Sequence, residues 1–473
     1  MDNSSAEPKP GKNSTPANHK RVLIAGAGTA GRSLAEDVVE AGDVVVGYLD
    51  DTLTGDDILG TLADVAFVCE ARAVQMVYLA IPSADAAVVR EFVTRVPRPA
   101  VEIAIVPRTY RVVSRERVSV DDLTDIDVLD LVGRAPIKHD MMHARDIIAD
   151  RRILVTGAAG SIGSRLVAQL QALGPEVVVC ADRSESAMFR LGHEFHEASE
   201  VRLEIADVQS TPRMSQLMER YRPEYVFHVA AYKHVPLMQH SPVEAFNNNV
   251  WGTLNVFEQA AAAGAERVIY VSTDKAVNPT NVMGATKRIG ELLMRDLGSQ
   301  TETIFSAVRF GNVLESEGSV MQIFRRQLAR QVNLTVTHPE ITRYFMTIDE
   351  AAQLVIQSAI AGRGSDLFVL DMGEPIRVVD LAQGLIDAVN PRLKVDIIGL
   401  RPGEKMYEEL SYRASMVDRT SHPKIMVVTE DDEHEEGDTI AWARETLRRT
   451  LSYSISDGEL KDALRSFGFA RLQ

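Results

Sequence analysis

The chain has 473 residues, of which 45% are hydrophobic and 25% charged, and its formal net charge is −16. A chain of this length exceeds one typical domain, so we expect two or three domains, each with a sizeable core. The acidic balance argues against a nucleic acid or an anionic membrane surface as the main partner. It leaves room for a local basic pocket that binds a phosphate-bearing ligand.

The two cysteines, Cys69 and Cys180, fall in apolar strand-like runs. Their number and setting predict buried thiols in a reducing cytosol, and neither a disulfide framework nor a metal site. Residues 1–19 are rich in Ser, Asn and Pro and lack an apolar segment, which predicts a disordered tail and no signal peptide. No apolar run approaches the roughly 20 residues that cross a bilayer. We therefore expect a cytoplasmic protein without a membrane span.

A first glycine turn follows the tail. Gly26, Gly28 and Gly31 form G-x-G-x-x-G after a short apolar run, and Asp50 ends the next strand, 19 residues after Gly31. This is the spacing of a dinucleotide-binding βαβ unit. The same glycines are also needed simply to pack a helix on a sheet, so both interpretations stay open. Further strand and helix patterns complete a predicted Rossmann-like domain over residues 20–135.

Residues 121–140 carry Gly and Pro and have little sustained periodicity, which predicts the exit from this first domain. A short helix over residues 141–149 follows. We therefore interpret residues 136–150 as a linker helix that leads into a second domain.

The second glycine turn is T-G-x-x-G-x-x-G, with Gly157, Gly160 and Gly163. These glycines allow the backbone to approach a pyrophosphate, and the helix that begins after Gly160 offers free N–H groups at its N-terminus. Asp182 ends the following strand, where a carboxylate can accept both hydroxyls of an adenosine ribose. Arg183 comes next with Ser184 and could tolerate a 2′-phosphate, so the choice between NAD and NADP stays open.

More strands and a long helix continue the α/β pattern. Asp207 follows one strand and is placed to reach polar groups of an adenine, and small residues after the next strand leave space for a cofactor. Asn249, in the long helix, is a candidate to brace the end of the sheet. His234 lies in the loop between them, where a lone histidine is more often structural than catalytic.

The stretch from Arg267 to Glu291 carries the densest chemistry. A strand ends directly at Ser272, and Thr273, Asp274 and Lys275 follow it. Open α/β sheets bind ligands at such strand ends, so this loop could supply an acid, a base and an orienting donor. The alternative is an Asp that caps a helix beside a surface lysine. A helix that carries Lys287 is predicted to begin near Met283.

Beyond residue 300 the regular alternation ends, and separated basic residues lie beside turn residues. Because arginine grips phosphates by paired hydrogen bonds, we interpret this part as a lobe that binds a diphosphate. Isolated surface charges are the alternative for each basic residue taken singly. The residues concerned are Arg309, Asn312, Arg343, Arg401 and Glu404. Residues 431–473, with an acidic run over 430–436 and two helical patterns, are predicted to form a solvated helical tail.

Several motifs, taken in this order, resemble one family: TGAAGSIGSRL, AAYKHVPLM, VSTDKAVNPTNVMGATKR, RFGNVL, THPEITRYFMT, LDMGEP and RPGEKMYEEL. They are similar to those of the nucleotide-sugar 4,6-dehydratases of bacterial polysaccharide biosynthesis, within the extended short-chain dehydrogenase superfamily. The resemblance implies an α/β protein with two Rossmann-like parallel-sheet domains. The second, over residues 151–430, would be an extended short-chain dehydrogenase fold with a substrate lobe from about residue 300. The first resembles a CoA-binding-type unit, and many relatives precede both with transmembrane helices.

The family resemblance implies a UDP-N-acetylhexosamine as substrate, most often UDP-N-acetylglucosamine, and a tightly bound NAD or NADP that is regenerated in each turnover. Lys275 would be the C5 base, which requires a lowered pKa, and Asp274 the acid for the leaving hydroxyl, which requires a raised one. Thr273 would hold the C4 oxygen, and Lys287 the nicotinamide ribose. Met283 stands where many superfamily members have a tyrosine base.

Expected cofactor contacts are Gly157, Gly160, Ser161, Ile162, Gly163, Asp182, Arg183, Ser184, Asp207, Val208, Ala230, Ala231, Tyr232, Lys233, Asn249 and Lys287. Expected substrate contacts are Lys233, His234, Arg309, Asn312, Arg343, Arg401 and Glu404. Three further residues depart from the family pattern. Glu315 and Glu317 follow RFGNVL, where a small or basic pattern is usual, and Arg165 replaces a common glutamate. These departures leave the exact sugar open.

Two other functions remain. A UDP-sugar 4-epimerase shares the glycine turn and the cofactor but needs no group that eliminates water. A nonenzymatic sensor of NAD or another nucleotide would explain the two glycine turns but gives no role to Lys275 or Lys287. The dehydratase is the interpretation that uses all of these residues together. By analogy with the superfamily we also expect a homo-oligomer.

Overall fold

The computed structural model describes residues 19–81, 84, 86–97, 100–106, 124–125, 141–412, 417–429 and 439–473. The chain divides into two compact units, residues 1–135 and 136–473. Nearly all of the predicted tail and of the predicted domain exit, and the acidic run over 430–436, lie outside the described residues. Those three predictions stay predictions.

The first unit is a six-stranded sheet with helices between its strands. Its elements are β1 Arg21–Ala25, α1 Thr29–Glu40, β2 Val44–Leu49, β3 Ile58–Gly60, α2 Val65–Ala71, β4 Met76–Leu79, α3 Ala86–Arg95, β5 Glu102–Ile105 and β6 Thr124–Asp125. The strand order is β3-β2-β1-β4-β5-β6, and every pair is parallel except β5 with β6. This is the predicted Rossmann-like arrangement. Cys69 is buried in α2 with a free thiol, as its apolar setting predicts.

The second unit begins with regular alternation of strand and helix. Its first elements are α4 Met142–Ile148, β7 Arg152–Thr156, α5 Ser161–Gln171, β8 Val177–Asp182, α6 Glu185–Glu194, β9 Val201–Ile205, α7 Thr211–Tyr221, β10 Tyr225–His228, α8 Val235–His240, α9 Pro242–Phe246, α10 Gly252–Ala262, β11 Arg267–Val271 and α11 Val282–Gly298. A π-helical turn over Asn247–Trp251 joins α9 to α10, and a 3₁₀ turn over Asp274–Ala276 follows β11.

Shorter elements fill the remainder of this unit. They are β12 Ile304–Arg309, β13 Asn312–Val313, α12 Val320–Ala329, β14 Leu334–Val336, β15 Thr342–Arg343, β16 Phe345–Met346, α13 Ile348–Ala361, β17 Asp366–Leu370, β18 Ile376–Arg377, α14 Val378–Val389, β19 Val395–Ile397, β20 Val417–Arg419, β21 Ile425–Val428, α15 Thr439–Leu451 and α16 Asp457–Ser466. Three two-stranded pairs form here, β13 with β16, β14 with β19 and β15 with β18.

A nine-stranded sheet organises the second unit, in the order β20-β21-β17-β12-β11-β10-β7-β8-β9. Its strands are parallel from β17 to β9, and β21 and β20 add antiparallel pairings at one edge. The strands are nearly continuous apolar runs, as in β7, because helices cover both faces of such a sheet. From β7 the chain builds the sheet outward on one side through β8 and β9, and it then crosses to the other side of β7 with β10. The direction in which strands are added therefore changes at β7. Ligands bind at the carboxyl ends of the strands at such a switch point.

The C-terminal helices correct one prediction. Residues 431–473 are predicted to be a solvated tail, but α15 and α16 pack into the core of the second unit. Leu460 and Leu464 are fully buried, and the ring of Trp442 stacks on that of Phe467 with centroids 4.0 Å apart. Their polar faces dominate the composition, whereas an apolar stripe on each helix makes the contact.

The predicted linker helix also belongs to this core. In α4, Ala144 and Ile148 are fully buried in the same apolar cluster as the strand β7. It is therefore a packed element of the second unit and not a free connection. Within the described parts of the chain, no helix has the length and apolar character needed to span a membrane.

Candidate active site

A cavity of about 660 Å³ opens at the carboxyl ends of the central strands of the second unit. Twenty of the residues predicted from the sequence line it. They are Gly157, Gly160, Ser161, Ile162, Asp182, Arg183, Val208, Ala230, Ala231, Tyr232, Lys233, His234, Thr273, Lys275, Met283, Lys287, Asn312, Arg343, Arg401 and Glu404. Six other predicted residues are not among its lining residues: Gly163, Ser184, Asp207, Asn249, Asp274 and Arg309.

The glycine turn forms one end of the cavity. Gly157 has a φ of +68°, which favours glycine, and a Cβ at Gly163 would lie 2.1 Å from the carbonyl oxygen of Gly157. The close contact seats α5 against the turn, so the first residues of the helix, Ser161 and Ile162, line the cavity. The N–H of Gly160 is used within the turn, where it donates to the carbonyl of Gly157 at 3.1 Å. Such a helix start binds anions through its free donors and its dipole.

Asp182 lies at the end of β8 and lines the cavity beside this turn. Its carboxylate accepts hydrogen bonds from the N–H of Ala159 at 3.2 Å and of Ser184 at 2.9 Å. These bonds hold the carboxylate in one orientation. The second carboxylate predicted nearby, Asp207, lies 3.7 Å from the guanidinium of Arg183, which stacks on the ring of Tyr232.

Asn249 supports the opposite wall without lining it. Its side chain lies in the π-helical turn, donates to the carbonyl of Tyr232 at 3.0 Å and accepts from the N–H of the same residue at 2.8 Å. It therefore holds the loop after β10, as the sequence predicts for a brace. A π-helical turn often marks a functional site, because it redirects side chains that a regular helix would point elsewhere.

Thr273 and Lys275 line the cavity at the end of β11, and Asp274, between them in the chain, is fully buried behind that lining. The hydroxyl of Thr273 donates to Oδ1 of Asp274 at 2.9 Å, and the Nζ of Lys275 donates to the same oxygen at 2.9 Å. Lys275 also donates to Oδ1 of Asn312 at 3.2 Å. Only 18% of the Lys275 side chain is exposed, so this is not the surface lysine of the alternative interpretation.

The predicted lowering of the pKa of Lys275 is wrong. Burial lowers this pKa, but the carboxylates of Asp274 and Glu408 outweigh burial and the opposing charge of Arg343, and the pKa is raised above its ordinary value. The amine is therefore held as an ammonium. Glu408 lies 133 positions further along the chain, which is why the sequence around Lys275 does not reveal it.

Lys287 is the lysine whose pKa is lowered. Burial brings it to about 7, against the charge of Glu291. Its Nζ lies 3.9 Å above the ring of Tyr270, and His228 stacks on that ring from within the core. Burial and the charge of Lys287 lower the pKa of His228 to about 3, so the histidine is neutral. Met283 lines the cavity on the same helix, one turn before Lys287.

Arg309 corrects a predicted substrate contact. Its guanidinium is fully buried and donates to both carboxylate oxygens of Glu291, at 2.8 and 2.6 Å. Burial raises the pKa of Glu291, but Arg309, Arg288 and the hydroxyl of Ser272 outweigh it and lower the pKa to about 2. A guanidinium committed to a buried ion pair does not reach a diphosphate. Glu291 lies four residues after Lys287, on the same face of α11, and that spacing is the signal that could have revealed it.

Arg343 and Arg401 line the cavity as predicted, but Arg343 already has partners. Its guanidinium donates to the carbonyls of Met406 and Lys405 at 3.2 and 2.8 Å and to Glu404 at 3.3 Å. It thereby fixes the loop after Arg401 against β15. Its Nε lies 3.9 Å from Glu408, in the same loop.

The three departures from the family pattern have separate explanations. Arg165 pairs with Asp349 on α13 at 2.5 Å, outside the lining of the cavity. Glu315 pairs with Arg325 on α12. Glu317 does line the cavity, and its N–H donates to the hydroxyl of Ser161 at 2.9 Å, so this segment lies across the start of α5.

Glu317 faces the two basic residues of the loop after β10. Burial lowers the pKa of Lys233 and that of His234, and the charge of Glu317 opposes both shifts. The His234 ring packs against Gly318, where an added Cβ would lie 2.4 Å from the ring. The carboxylate of Glu317 therefore lies at the predicted pyrophosphate end, with Lys233 as the cation that faces it there.

Comparison with known proteins shows the family to which the chain belongs. The family described as polysaccharide biosynthesis protein matches residues 153–430, and a CoA-binding domain matches residues 12–107. The chain belongs to the polysaccharide biosynthesis protein family. The probable polysaccharide biosynthesis protein EpsC of Bacillus subtilis is 39% identical over 424 residues, which cover 86% of this chain and 71% of EpsC. A UDP-glucose 4-epimerase of Rickettsia canadensis is 33% identical over 274 residues, or 56% of this chain and 78% of the epimerase.

Solved structures agree with this family. Pen from Bacillus thuringiensis is 32% identical with a TM-score of 0.57, over 64% of this chain and 98% of Pen. DesIV, a dTDP-glucose 4,6-dehydratase from Streptomyces venezuelae solved with bound NAD, has a TM-score of 0.52 at 19% identity, over 64% of this chain and 98% of DesIV. The second likeness bears on the fold alone. The predicted membership of a polysaccharide biosynthesis family and the predicted extended short-chain dehydrogenase fold are both confirmed.

Proposed function

We propose that this member of the family is a nucleotide-sugar 4,6-dehydratase that acts on a UDP-N-acetylhexosamine, with UDP-N-acetylglucosamine as the first candidate. The observation that carries the proposal is the hydrogen bond of 2.9 Å from Lys275, which lines the cavity, to the carboxylate of Asp274 directly behind it. Oxidation at C4 alone requires no such pair. Elimination of water across C5 and C6 requires a base and an acid together, and this pair supplies both.

The residues at the other end of the cavity fit a dinucleotide. Ser161 and Ile162, in the first turn of α5, would offer N–H donors to a pyrophosphate, Asp182 would offer its carboxylate to a ribose, and Lys287 would hold the nicotinamide ribose. Asp182 is held towards the cavity while Arg183 stacks on Tyr232, which favours NAD over NADP. The bound nicotinamide would accept a hydride from C4 and return it to C6.

The ion pair already contains the one proton that elimination needs. Transfer of that proton from Lys275 to Asp274 along the hydrogen bond leaves a neutral amine and a carboxylic acid. The amine then takes the C5 proton, and Asp274 gives its proton to the C6 hydroxyl, which leaves as water. A bound substrate excludes water, and loss of water raises the free energy of an ion pair more than that of a neutral pair. Substrate binding therefore favours the proton transfer from Lys275 to Asp274.

After elimination Lys275 and Asp274 return to their initial protonation states. Lys275, now an ammonium, gives its proton back to C5 as hydride reaches C6. During oxidation at C4 a water molecule would take the proton of the C4 hydroxyl, and water would return one proton to Lys275 at the end of the cycle and so restore the ammonium. Thr273 lies beside both groups and is placed to hold the C4 oxygen, whereas Met283 can accept no proton. The product is a 4-keto-6-deoxy sugar, and water is the second product.

A UDP-sugar 4-epimerase is the second candidate, favoured by the 33% identity to the Rickettsia canadensis enzyme. It would use the same cofactor end and return hydride to C4. Product analysis separates the two functions, because epimerisation changes no mass, whereas dehydration removes one water.

The test is incubation with UDP-N-acetylglucosamine and NAD in D₂O, followed by mass spectrometry and NMR. We expect loss of water, a 4-keto group and deuterium at C5. Lys275→Ala should lower kcat by about 100-fold or more, since general acid–base residues contribute roughly 10²–10⁴. Lys394→Ala, at an exposed lysine outside the cavity lining, is the matched control. Inversion at C4 without loss of water would refute the dehydratase and support the epimerase.

A further inference from the structure

Glu408 is a buried carboxylate with no role in the scheme above. Its side chain is 3% exposed, and its Oε1 lies 3.6 Å from the Nζ of Lys275 and 3.9 Å from the Nε of Arg343. Its Oε2 is buried and has no hydrogen-bond partner among the residues that the structure describes. A buried carboxylate with an unpaired oxygen is costly, so its retention calls for an explanation.

The two cations beside Glu408 are not equally available. The terminal nitrogens of Arg343 donate to Glu404 and to the carbonyls of Thr342, Lys405 and Met406. Within the part of the chain that the structure describes, the Nζ of Lys275 has only side-chain partners, Asp274, Asn312 and Glu408. The charge of Glu408 therefore bears chiefly on the ammonium of Lys275.

The buried charged groups around Lys275 sum to zero when Asp274 and Lys275 share one proton. Among the groups whose side chains are less than a fifth exposed, Asp274 and Glu408 are the carboxylates and Lys275 and Arg343 are the cations. Glu404, the other carboxylate partner of Arg343, is 22% exposed and is not counted with this buried cluster. The sum is zero with the proton on Lys275, and it is also zero when that proton has moved to Asp274. Loss of the proton to solvent leaves a buried net negative charge, which is unfavourable at low dielectric. Without Glu408 the protonated cluster would instead carry a net positive charge.

We propose that Glu408 is a positioning residue that retains the catalytic proton within the Asp274–Lys275 pair of the resting enzyme. The proposal rests on the proposed function and assigns a role to the loop after Arg401. That loop both lines the cavity, through Arg401 and Glu404, and carries Glu408 to the catalytic lysine. Substrate contact with the loop and the protonation state of Lys275 are thus physically linked.

The test compares Glu408→Gln with Glu409→Gln. Glu409 is the neighbouring residue in the same loop, but its carboxylate pairs with Lys405 at 3.3 Å and with Asn278 at 3.2 Å. Amine reactivity of Lys275 is measured by competitive acetylation and mass spectrometry across pH, without turnover. In Glu408→Gln we expect reactivity at neutral pH to rise several-fold and the titration to move to lower pH. Glu409→Gln should match the wild type.

Glu408→Asp keeps the negative charge at this position. It tests whether disturbed folding, and not loss of charge, explains the change in Lys275 reactivity. We expect its titration of Lys275 to remain close to the wild type even if kcat falls. Unchanged labelling in Glu408→Gln, or an equal shift in Glu408→Asp, would overturn the role of Glu408. Because labelling requires no product, this result is separate from the dehydratase assay. A shift in labelling without loss of water from the sugar would refute only the proposed reaction.

Discussion

Gly31 in the first unit and Gly163 in the second occupy the same steric position in two glycine turns. A Cβ would lie 1.8 Å from the carbonyl oxygen of Gly26 in one turn and 2.1 Å from that of Gly157 in the other. In each unit an aspartate lies 19 residues after the last glycine: Asp50 directly follows β2, and Asp182 is the last residue of β8. The two sequences thus encode the same packing of a helix on a strand.

The surroundings of the two aspartates differ. Oδ1 of Asp50 accepts from the N–H of Leu53 and from both the N–H and the hydroxyl of Thr52, while Oδ2 accepts from the N–H of Ala27. Asp182 accepts two backbone hydrogen bonds and lines a cavity that also contains Lys275 and Lys287. A glycine fingerprint therefore specifies the turn, and the residues at distant strand ends decide whether the turn serves chemistry.

The largest effect is expected from substitutions at the two matched glycines. Gly163→Ala should abolish measurable product, because the displaced turn carries the N–H donors that we propose for the cofactor, and a misplacement of about 1 Å can cost about 100-fold in rate. Gly31→Ala should leave kcat within about twofold while it destabilises the first unit. Product assays and circular dichroism on both variants check this. Equal loss of turnover in Gly31→Ala would show that the first turn also serves catalysis.

A tenfold effect is expected at the matched aspartates. Asp182→Asn should weaken NAD binding about tenfold or more, since hydrogen bonds to a charged group are worth roughly 1.5–3 kcal/mol. Asp50→Asn should leave that affinity unchanged. Calorimetric titration with NAD and with NADP measures both. Tighter binding of NADP than of NAD to the wild type would contradict the assignment of Asp182 to the adenosine ribose.

A smaller, several-fold change in the affinity for NAD is expected from the protonation of Lys287. This lysine has no assigned counterpart in the first unit. Its pKa of about 7 lies below the ordinary value, so the amine gains a proton as pH falls through 7. The protonated amine repels the positively charged nicotinamide ring. NAD should therefore bind several-fold more tightly at pH 8 than at pH 6, and Lys287→Met should flatten the dependence. An unchanged slope in that variant would assign the dependence to another group.

The sequence predicted both glycine turns, the strand-end loop and the resemblance, because each depends on residues that are close together along the chain. The sequence did not reveal that Arg309 is buried in an ion pair whereas Arg343 lines the cavity. That ion pair depends on Glu291, which only the fold brings to Arg309. The sequence also predicted the wrong direction for the pKa of Lys275, because Glu408 reaches that lysine only through the fold. The packing of α15 and α16 was missed for the same reason: their apolar stripes are short and their partners are distant.

The smallest effect is expected in the acid stability of the first unit. Burial alone would raise the pKa of Asp50, but its N–H donors outweigh it and lower the pKa to about 2, from an ordinary value of 3.8. The stabilisation is therefore present above about pH 4 and is lost as pH falls through 2. After discounting for solvent exposure we expect about 1 kcal/mol. Hydrogen exchange of β1 and β2 between pH 5 and 2 should reveal it, and Asp50→Asn should remove this dependence. No such change is expected in β7 and β8, because the effect is local to the turn that Asp50 closes.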